Sequence, residues 1–464
     1  MKTVRFLSMA ALVVMGTITT SCDKMENDNG SHGSVYTMTL HMGAGTKTVI
    51  DASTGAHTFK AGDRIAVIYT NTSSEIVKAT SNALEQDDLK NGNRSAEFTV
   101  ALNNPDNMQP VTYIYPAAMA NADGSVNYDA LKTQDGLLTS LAGDLDLCTS
   151  SGAWVNGTDL PSLTLENQLA ILAVSLKDLD GSSEITGGIT RMTLCDGTYG
   201  YAVARPAAAG PIYVAIRPVT SANIMVMATD GTNTYVKSLT AKTYSAGNGY
   251  NVSWRMLVPE AVDLGLPSGV KWASFNVGAT MPEEYGAYFA WGETVPKSDH
   301  TWETYKYRVS GNKYYDVTFS RYCPSEKTSF WGGSGSPDNK ASLADYGYED
   351  DAARANWGGK WRMPTKAEFE ELIANCYCEW DTFNHVKGYL FTSKTNYNSI
   401  FLPAAGFRID TSVNDAKTDG FYWSSSLRTE DPVYAWSRRF DKSEIRSVGS
   451  YRYYGRSVRP VFTE

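Results

Sequence analysis

From residue 35 to about residue 257 the chain is a succession of short runs closed by turn residues, a rhythm that admits strands and turns and leaves little room for long helices. In "VYTMTLHM", Tyr36, Met38, Leu40 and Met42 fall on one face and Val35, Thr37, Thr39 and His41 on the other, the pattern of a half-buried strand. "GAGTK" breaks it, and "TFKAGDRIAVIYT" places a turn at Ala61-Gly62-Asp63 ahead of a buried strand. "SAEFTVAL", "VTYIYP", "GPIYVAIRP" and "ANIMVMATD" continue the rhythm expected of β-sandwiches. "LENQLAILAVSL" also fits a helical face through Leu165, Leu169 and Leu172, but the flanking strands and the turn "DLDGSS" favour a strand.

A length of 464 residues gives room for about three domains of roughly 150 residues each. Charged residues make up only 20% and aromatics 12%, the balance of a β-rich surface protein, and a net charge of −9 argues against nucleic acid as a partner, since neutralising phosphates requires a basic face. The N-terminal "MKTVRFLSMAALVVMGTITTSC" sets Lys2 and Arg5 before an apolar run and small residues, the layout of an export signal. It resembles a bacterial lipobox, which implies removal of residues 1–21 as a lipoprotein signal peptide and lipidation of Cys22, the expected attachment to the membrane. Residues 22–34 read as a flexible tether whose acidic residues resemble the surface-export tag of Bacteroidetes lipoproteins.

Among the other cysteines, Cys148 and Cys195 could bridge, and the "NCYCEW" pair, Cys376 and Cys378, lacks the second pair and the histidines of a zinc site. The five histidines are scattered, which argues against histidine-based catalysis or a multi-histidine metal centre. No metal, cofactor or catalytic residue is expected.

The pieces "FKAGDRIAV", "YIYPA" with a later "LKTQDG", "ENQLAILAVSL" and "YSAGNGYNVSW" together resemble the fimbrillin family of Bacteroidetes pilins and pilus-associated lipoproteins over residues 35–257. The resemblance implies two tandem β-sandwiches, residues 35–157 and 158–258, and partnership with other fimbrillin subunits by donor-strand exchange. In that mechanism a protease removes the first strand, and a neighbour's strand fills the groove by β-augmentation. "VYTMTLHM" matches the removable strand by position. The family's arginine after this strand is missing, and the first basic residue beyond it is Lys47. Lys47 is therefore either the maturation site of a lysine-accepting protease or a solvated loop residue in a subunit that keeps its first strand and its lipid, as anchor subunits do.

After residue 260 the composition shifts, with nine of the eleven tryptophans in this part, as expected of a compact domain with aromatic packing and short strands. Its clear helix is "TKAEFEELIANC", with Thr365 as cap, Glu368 completing a capping box, and Phe369, Leu372 and Ile373 on one face. "VDLGLPSGVKWAS", "YGAYFAWGET", "DDAARANWGGKWRMPTKAEFEEL", "FLPAAGFR", "FYWSSS" and "GRSVRPV" resemble, in order, the Fibrobacter succinogenes major paralogous domain, which implies an α+β C-type-lectin-like fold for residues 260–464. The whole chain is thus expected to be mainly β: two fimbrillin-type sandwiches followed by a lectin-like domain.

The sugar-site triplets of calcium-dependent lectins do not occur. The acidic clusters Glu349-Asp350-Asp351 and Asn414-Asp415-Asp419 offer oxygens for a hard cation, although the first better suits the cap of a helix starting at Ala352. The fold is shared with formylglycine-generating enzymes, but the cysteines their chemistry needs late in the domain are missing, and no nucleophile elbow, zincin motif or phosphate loop occurs. "WGGSGSPDN" reads as a loop. In "YAWSRRFDKSEIRS", Trp436, Arg438 and Phe440 alternate with Ser437, Arg439 and Asp441, so one face is expected inside and the other outside. The fixed skeleton of the segment also resembles that of lectin-like targets of diversity-generating retroelements. Tyrosine, serine and arginine at outward positions are paratope chemistry, which makes Ser437, Arg439, Asp441, Arg446, Tyr451, Tyr453, Tyr454 and Arg456 the candidate ligand-binding face, for a glycan or a protein. The bland reading is a solvated tyrosine-rich surface with Arg452 and Arg459 in structural salt bridges.

These elements suggest a surface-exposed tip or accessory fimbrillin whose third domain recognises a ligand. A lipid-anchored receptor or anchor subunit with the sandwiches as spacer is the alternative, and a surface enzyme the weak one.

Overall fold

The computed structural model describes residues 34–42, 58–106, 108–154, 159–313, 315–323 and 338–463. Cys22, Lys47 and most of "WGGSGSPDN" lie outside the described residues.

The chain is mainly β. Its first sheet takes β1 (Ser34–Met42), β2 (Ala66–Thr70), β3 (Ile76–Thr80), β4 (Leu89–Lys90), β5 (Ser95–Leu102), β6 (Pro110–Tyr115), β8 (Cys148–Ala153) and β9 (Thr164–Asn167), in the order β3-β2-β6-β8-β9-β1-β5-β4. Between β6 and β8 the chain makes β7 (Thr133–Gln134) and α1 (Leu138–Asp144), and β7 belongs to a later sheet. β1 is an interior strand. It runs antiparallel to β5 with Met38 opposite Phe98 and Leu40 opposite Ala96, and its end pairs in parallel with β9 through Met42 and Leu165. The alternation expected of "VYTMTLHM" is realised at its C-terminal half, where Met38, Leu40 and Met42 are buried in one core with Phe59, Phe98, Tyr113, Tyr115 and Leu165. β9 falls on the far side of residue 158, yet it pairs with β8 and β1.

The second sandwich stacks β13-β10-β16 on β15-β14-β11-β12-β7, with β10 (Ala170–Lys177), β11 (Arg191–Cys195), β12 (Gly200–Ala204), β13 (Ile212–Ile216), β14 (Val219–Thr229), β15 (Thr234–Tyr244) and β16 (Asn248–Arg255). "LENQLAILAVSL" is strand, not helix, split between β9 and β10 with a break at Gln168-Leu169, because both faces of β10 are covered and its run is nearly continuously apolar. In β16, Tyr250, Val252 and Trp254 point into the core while Asn251, Ser253 and Arg255 are exposed. Ala66, Ile68 and Ile114 of the first sheet enter this same core. Cys148 and Cys195 are both buried and unbridged: the first sits in the core of the first sheet and the second on β11, so the bridge left open by the sequence does not form.

The third part is built from short pieces: β17 (Ala261–Val262), β18 (Lys271–Ala273), β19 (Arg308–Ser310), β20 (Thr318–Phe319), α2 (Ala352–Trp357), β21 (Trp361–Arg362), α3 (Lys366–Asn375), β22 (Cys376–Phe383), β23 (Val386–Ser393), β24 (Ser399–Pro403), β25 (Phe407–Ile409), β26 (Ser412–Asn414), β27 (Gly420–Leu427), β28 (Tyr434–Phe440), β29 (Ile445–Tyr451) and β30 (Val461–Phe462). β30 lies between β18 and β21, so the last strand closes onto the first part of this region. α3 starts at Thr365, whose hydroxyl accepts from the Glu368 amide while the Glu368 carboxylate accepts from the Thr365 amide; Phe369 and Leu372 are buried against β27 and β28. Asp351 caps α2 as expected. Trp291, Trp357, Trp361 and Trp423 fill a core that also takes in Met227 and Val236 of the second sandwich. Among the described residues no helix is long and apolar enough to cross a membrane.

Candidate functional site

β27, β28 and β29 form a three-stranded antiparallel sheet in which Arg439 faces Arg446 and Phe421, and Tyr434 faces Tyr451. One side of β28 lies under α3: Arg438 sits over the Phe369 ring at 5.8 Å, and Lys366 lies 4.4 Å from the Trp436 ring centre. The other side is covered by the returning segment 452–457. That segment bridges to Phe289 through Arg456, to Arg408 through Gly455 and to Tyr422 through Ser457.

This covering corrects two expectations. Ser437 and Arg456 are each only 3% exposed. Ser437 Oγ lies 3.1 Å from Ser450 Oγ and accepts from Arg456 Nη1 at 2.9 Å, so both residues face inward from opposite sides of one contact. A period-two reading supposes one open face, whereas β28 is a central strand covered on both sides. The remaining candidates are half-buried, apart from exposed Arg446, which pairs with Glu444 at 3.1 Å.

Four of the eight, Arg439, Tyr451, Tyr454 and Arg456, meet in a cleft of about 360 Å³ together with Tyr434, Phe407 and Phe421. Tyr434 and Tyr451 stack with centroids 4.6 Å apart, and Tyr454 meets Tyr451 edge-on at 5.5 Å and Phe407 at 5.4 Å. Tyr453 turns away to pack on Trp302 at 4.5 Å. Asp441 pairs with Arg439 at 3.3 Å and accepts from Ser443, which holds its carboxyl below the usual range. Sequence reasoning passed over Tyr434, Phe407 and Phe421. Tyr434 stood at the head of the quoted segment, but pairing with Tyr451 across strands is not a local signal.

The two arginines of the cleft differ. Arg439 donates to Asp419 Oδ1 through Nε at 2.9 Å and Nη2 at 2.7 Å, and these hydrogen bonds raise its affinity for its proton. Arg456 is surrounded by rings, with its guanidinium carbon 4.5 Å from the Phe421 centroid and 5.0 Å from that of Trp423, and its Nε has no hydrogen-bond partner. Burial lowers its pKa to about 9. A guanidinium without a carboxylate in such surroundings is costly unless π faces and polar groups compensate.

Arg452 and Arg459 are fully buried, but carbonyl oxygens replace the salt bridges expected of them. Arg459 donates to Asn276 Oδ1 at 2.8 Å, to Ala273 O and Ser274 O at 3.1 Å and to Phe401 O at 2.7 Å; Arg452 donates to Arg321 O at 3.2 Å and lies 3.7 Å over the Phe319 ring. The acidic clusters are likewise engaged: Asp350 accepts from Tyr307, Tyr322 and Arg321, Asp351 from the amides of Arg354 and Met363, and Asp419 from Arg439. Among the described residues no group of three His, Cys, Asp or Glu is placed to hold a metal ion. Cys376 is buried with its thiol pushed up to about 11, and Cys378 is half-buried beside it; both are unbridged.

Residues 385–461 match a family described as a domain of unknown function, DUF8237. No curated protein matches the chain. Among solved structures, a fimbrial assembly protein from Parabacteroides distasonis is similar at 10% identity over 48% of this chain and 90% of its own, with a TM-score of 0.29. A protein from Bacteroides uniformis named for a proposed role in cell adhesion is similar at 14% identity over 48% of this chain and 96% of its own, with a TM-score of 0.28. One from Bacteroides fragilis named in the same way shows 12% identity over 46% and 84%, with a TM-score of 0.27. With identities this low, the functional reading rests on the residues themselves.

Proposed function

We propose that this chain is a surface lipoprotein associated with pili, a tip or accessory fimbrillin, and that its third, lectin-like domain recognises a ligand. The observation that carries the recognition reading is the cleft between β27, β29 and the returning segment, where tyrosines, phenylalanines and two arginines converge on one concavity. Tyrosine offers rigid amphipathic area at small entropic cost, and arginine offers directional donors. The test replaces Tyr451 and Tyr454 by alanine, singly, and measures adhesion of cells displaying the protein. Loss of adhesion with unchanged surface display is expected, and unchanged adhesion in both variants would overturn the reading.

Assembly by strand exchange is the second part of the proposal, and the placement of β1 supports it. An interior strand with one apolar face against a core leaves, when removed, a groove with unpaired backbone on both β5 and β9. Mass spectrometry of the mature N-terminus from cell surfaces decides this part. A chain starting near Thr48 is expected of an opened groove. Lipidated Cys22 on all of the protein would leave the lipid-anchored receptor or anchor subunit instead.

A further inference from the structure

The cleft differs from an ordinary tyrosine-rich surface in how its charge is balanced. Arg439 is neutralised by Asp419 and Asp441. Arg456, 3% exposed, has one neutral hydroxyl as a partner, Ser437 Oγ at 2.9 Å, and an Nε with none. The acid on the lining itself is Asp415, an exposed residue. A buried guanidinium that lines a cleft with no carboxylate paired to it is uncompensated in the free protein, and a carboxylate is the group whose geometry and charge complete it. A charge-assisted hydrogen bond in such a place is about twice as strong as a neutral one.

The walls restrict what can carry that carboxylate. A volume of about 360 Å³ is near the lower end of small-ligand cavities and has room for one or two rings, not for a protein surface. Tyr434, Tyr451, Tyr454, Phe407 and Phe421 line the cleft with aromatic surface, with phenol hydroxyls among them. A pyranose has the matching shape: an apolar face of C–H groups to lie on a ring, and an edge of hydroxyls.

Resting on the recognition reading above, we infer that the cleft binds an acidic pyranose, its ring against the tyrosine wall and its carboxylate directed to Arg456. The source is a glycan that carries a uronic or nonulosonic acid. The ring stacks while the carboxylate replaces water at the guanidinium, so the acid is preferred over its neutral isostere.

Calorimetric titration of the full mature chain with methyl glucuronide, methyl galacturonide and the methyl glycoside of N-acetylneuraminic acid, each beside its carboxamide, tests this. At least one acid is expected to bind tenfold or more tightly than its amide, and Tyr454→Ala is expected to weaken that acid at least tenfold. Arg456→Gln should erase the preference of acid over amide; should that variant fail to fold, the comparison on the unaltered chain decides alone. Equal binding of acid and amide would overturn the charge inference and leave the cleft a binding face. Binding of none of the three sugars, with adhesion still lost in the tyrosine variants, would overturn the sugar class only, as would preference for a short acidic peptide. Adhesion that survives both tyrosine replacements would remove the recognition reading itself.

Discussion

Leu40→Ala on β1 tests whether the first strand is energetically part of its sandwich, as a strand-exchange groove requires. Leu40 is 0% exposed and Met38 2%, both in the core with Phe59 and Phe98. Deleting a buried leucine side chain to alanine costs about 2–5 kcal/mol, and at a site enclosed by aromatic rings and paired strands about 3 kcal/mol is the working value. Val35, at 67% exposure on the same strand, gives the control, for which about 0.5 kcal/mol or less is expected. Because the chain has several cores, one unfolding midpoint would blur the effect, so the readout is hydrogen exchange over β5, Ser95–Leu102, the antiparallel neighbour of β1. A loss of about 3 kcal/mol corresponds to exchange about two orders of magnitude faster in Leu40→Ala. An acceleration below about fivefold, on the order of 1 kcal/mol, or an equal one in Val35→Ala, would mean that β1 lies on the sheet without filling its core, and the groove argument would fall.

Three further outcomes follow from packing and charge. Gly420→Ala places a methyl 2.0 Å from the Phe440 ring, so the floor of the β27–β28 pair must shift; a loss of about 2 kcal/mol or more in urea unfolding is expected. Burial raises the Asp351 carboxyl from 3.8 to about 6. Its folded form therefore holds a proton that the unfolded chain has released, and its contribution falls as pH rises from about 4 to 6, by about 3 kcal/mol in all. The stability difference between the unaltered protein and Asp351→Asn should shrink over that window, and a flat difference would contradict the assigned burial. Arg459→Met takes the donor from four acceptors on two segments, residues 273–276 and Phe401, and should cost about 3 kcal/mol or more, with Arg459→Lys failing to restore it because one ammonium cannot span them.

Local patterns in the sequence were reliable wherever one element decided its own structure. The capping box at Thr365 and Glu368, the Asp351 cap and the alternation of β1 are all legible in a few residues, since the forces behind them act within a turn or across one face. The direction of Ser437 and Arg456 was not legible, because it depends on a segment some fifteen or more residues away folding back over β28. Nor did the sequence show that carbonyl oxygens, not carboxylates, would hold Arg452 and Arg459, since backbone acceptors leave no trace in residue types. The cleft was half legible: the tyrosines were conspicuous, but Phe407 and Phe421 reach it from strands that only the tertiary fold brings alongside.

The core shared by the second sandwich and the third region has a mechanical consequence. Met227 and Val236 pack among Trp357 and Trp361; Thr234 donates to Trp357 O, Gly359 N to Gly231 O at 3.1 Å, and Val236 and Leu257 exchange backbone bonds at 2.7 and 2.8 Å. The turn between β14 and β15 thus grips the end of α2, and the two parts meet as a bracket instead of a swivel. A pull on the third region is therefore met by this wall of rings and the long β14–β15 hairpin together, as a distributed load.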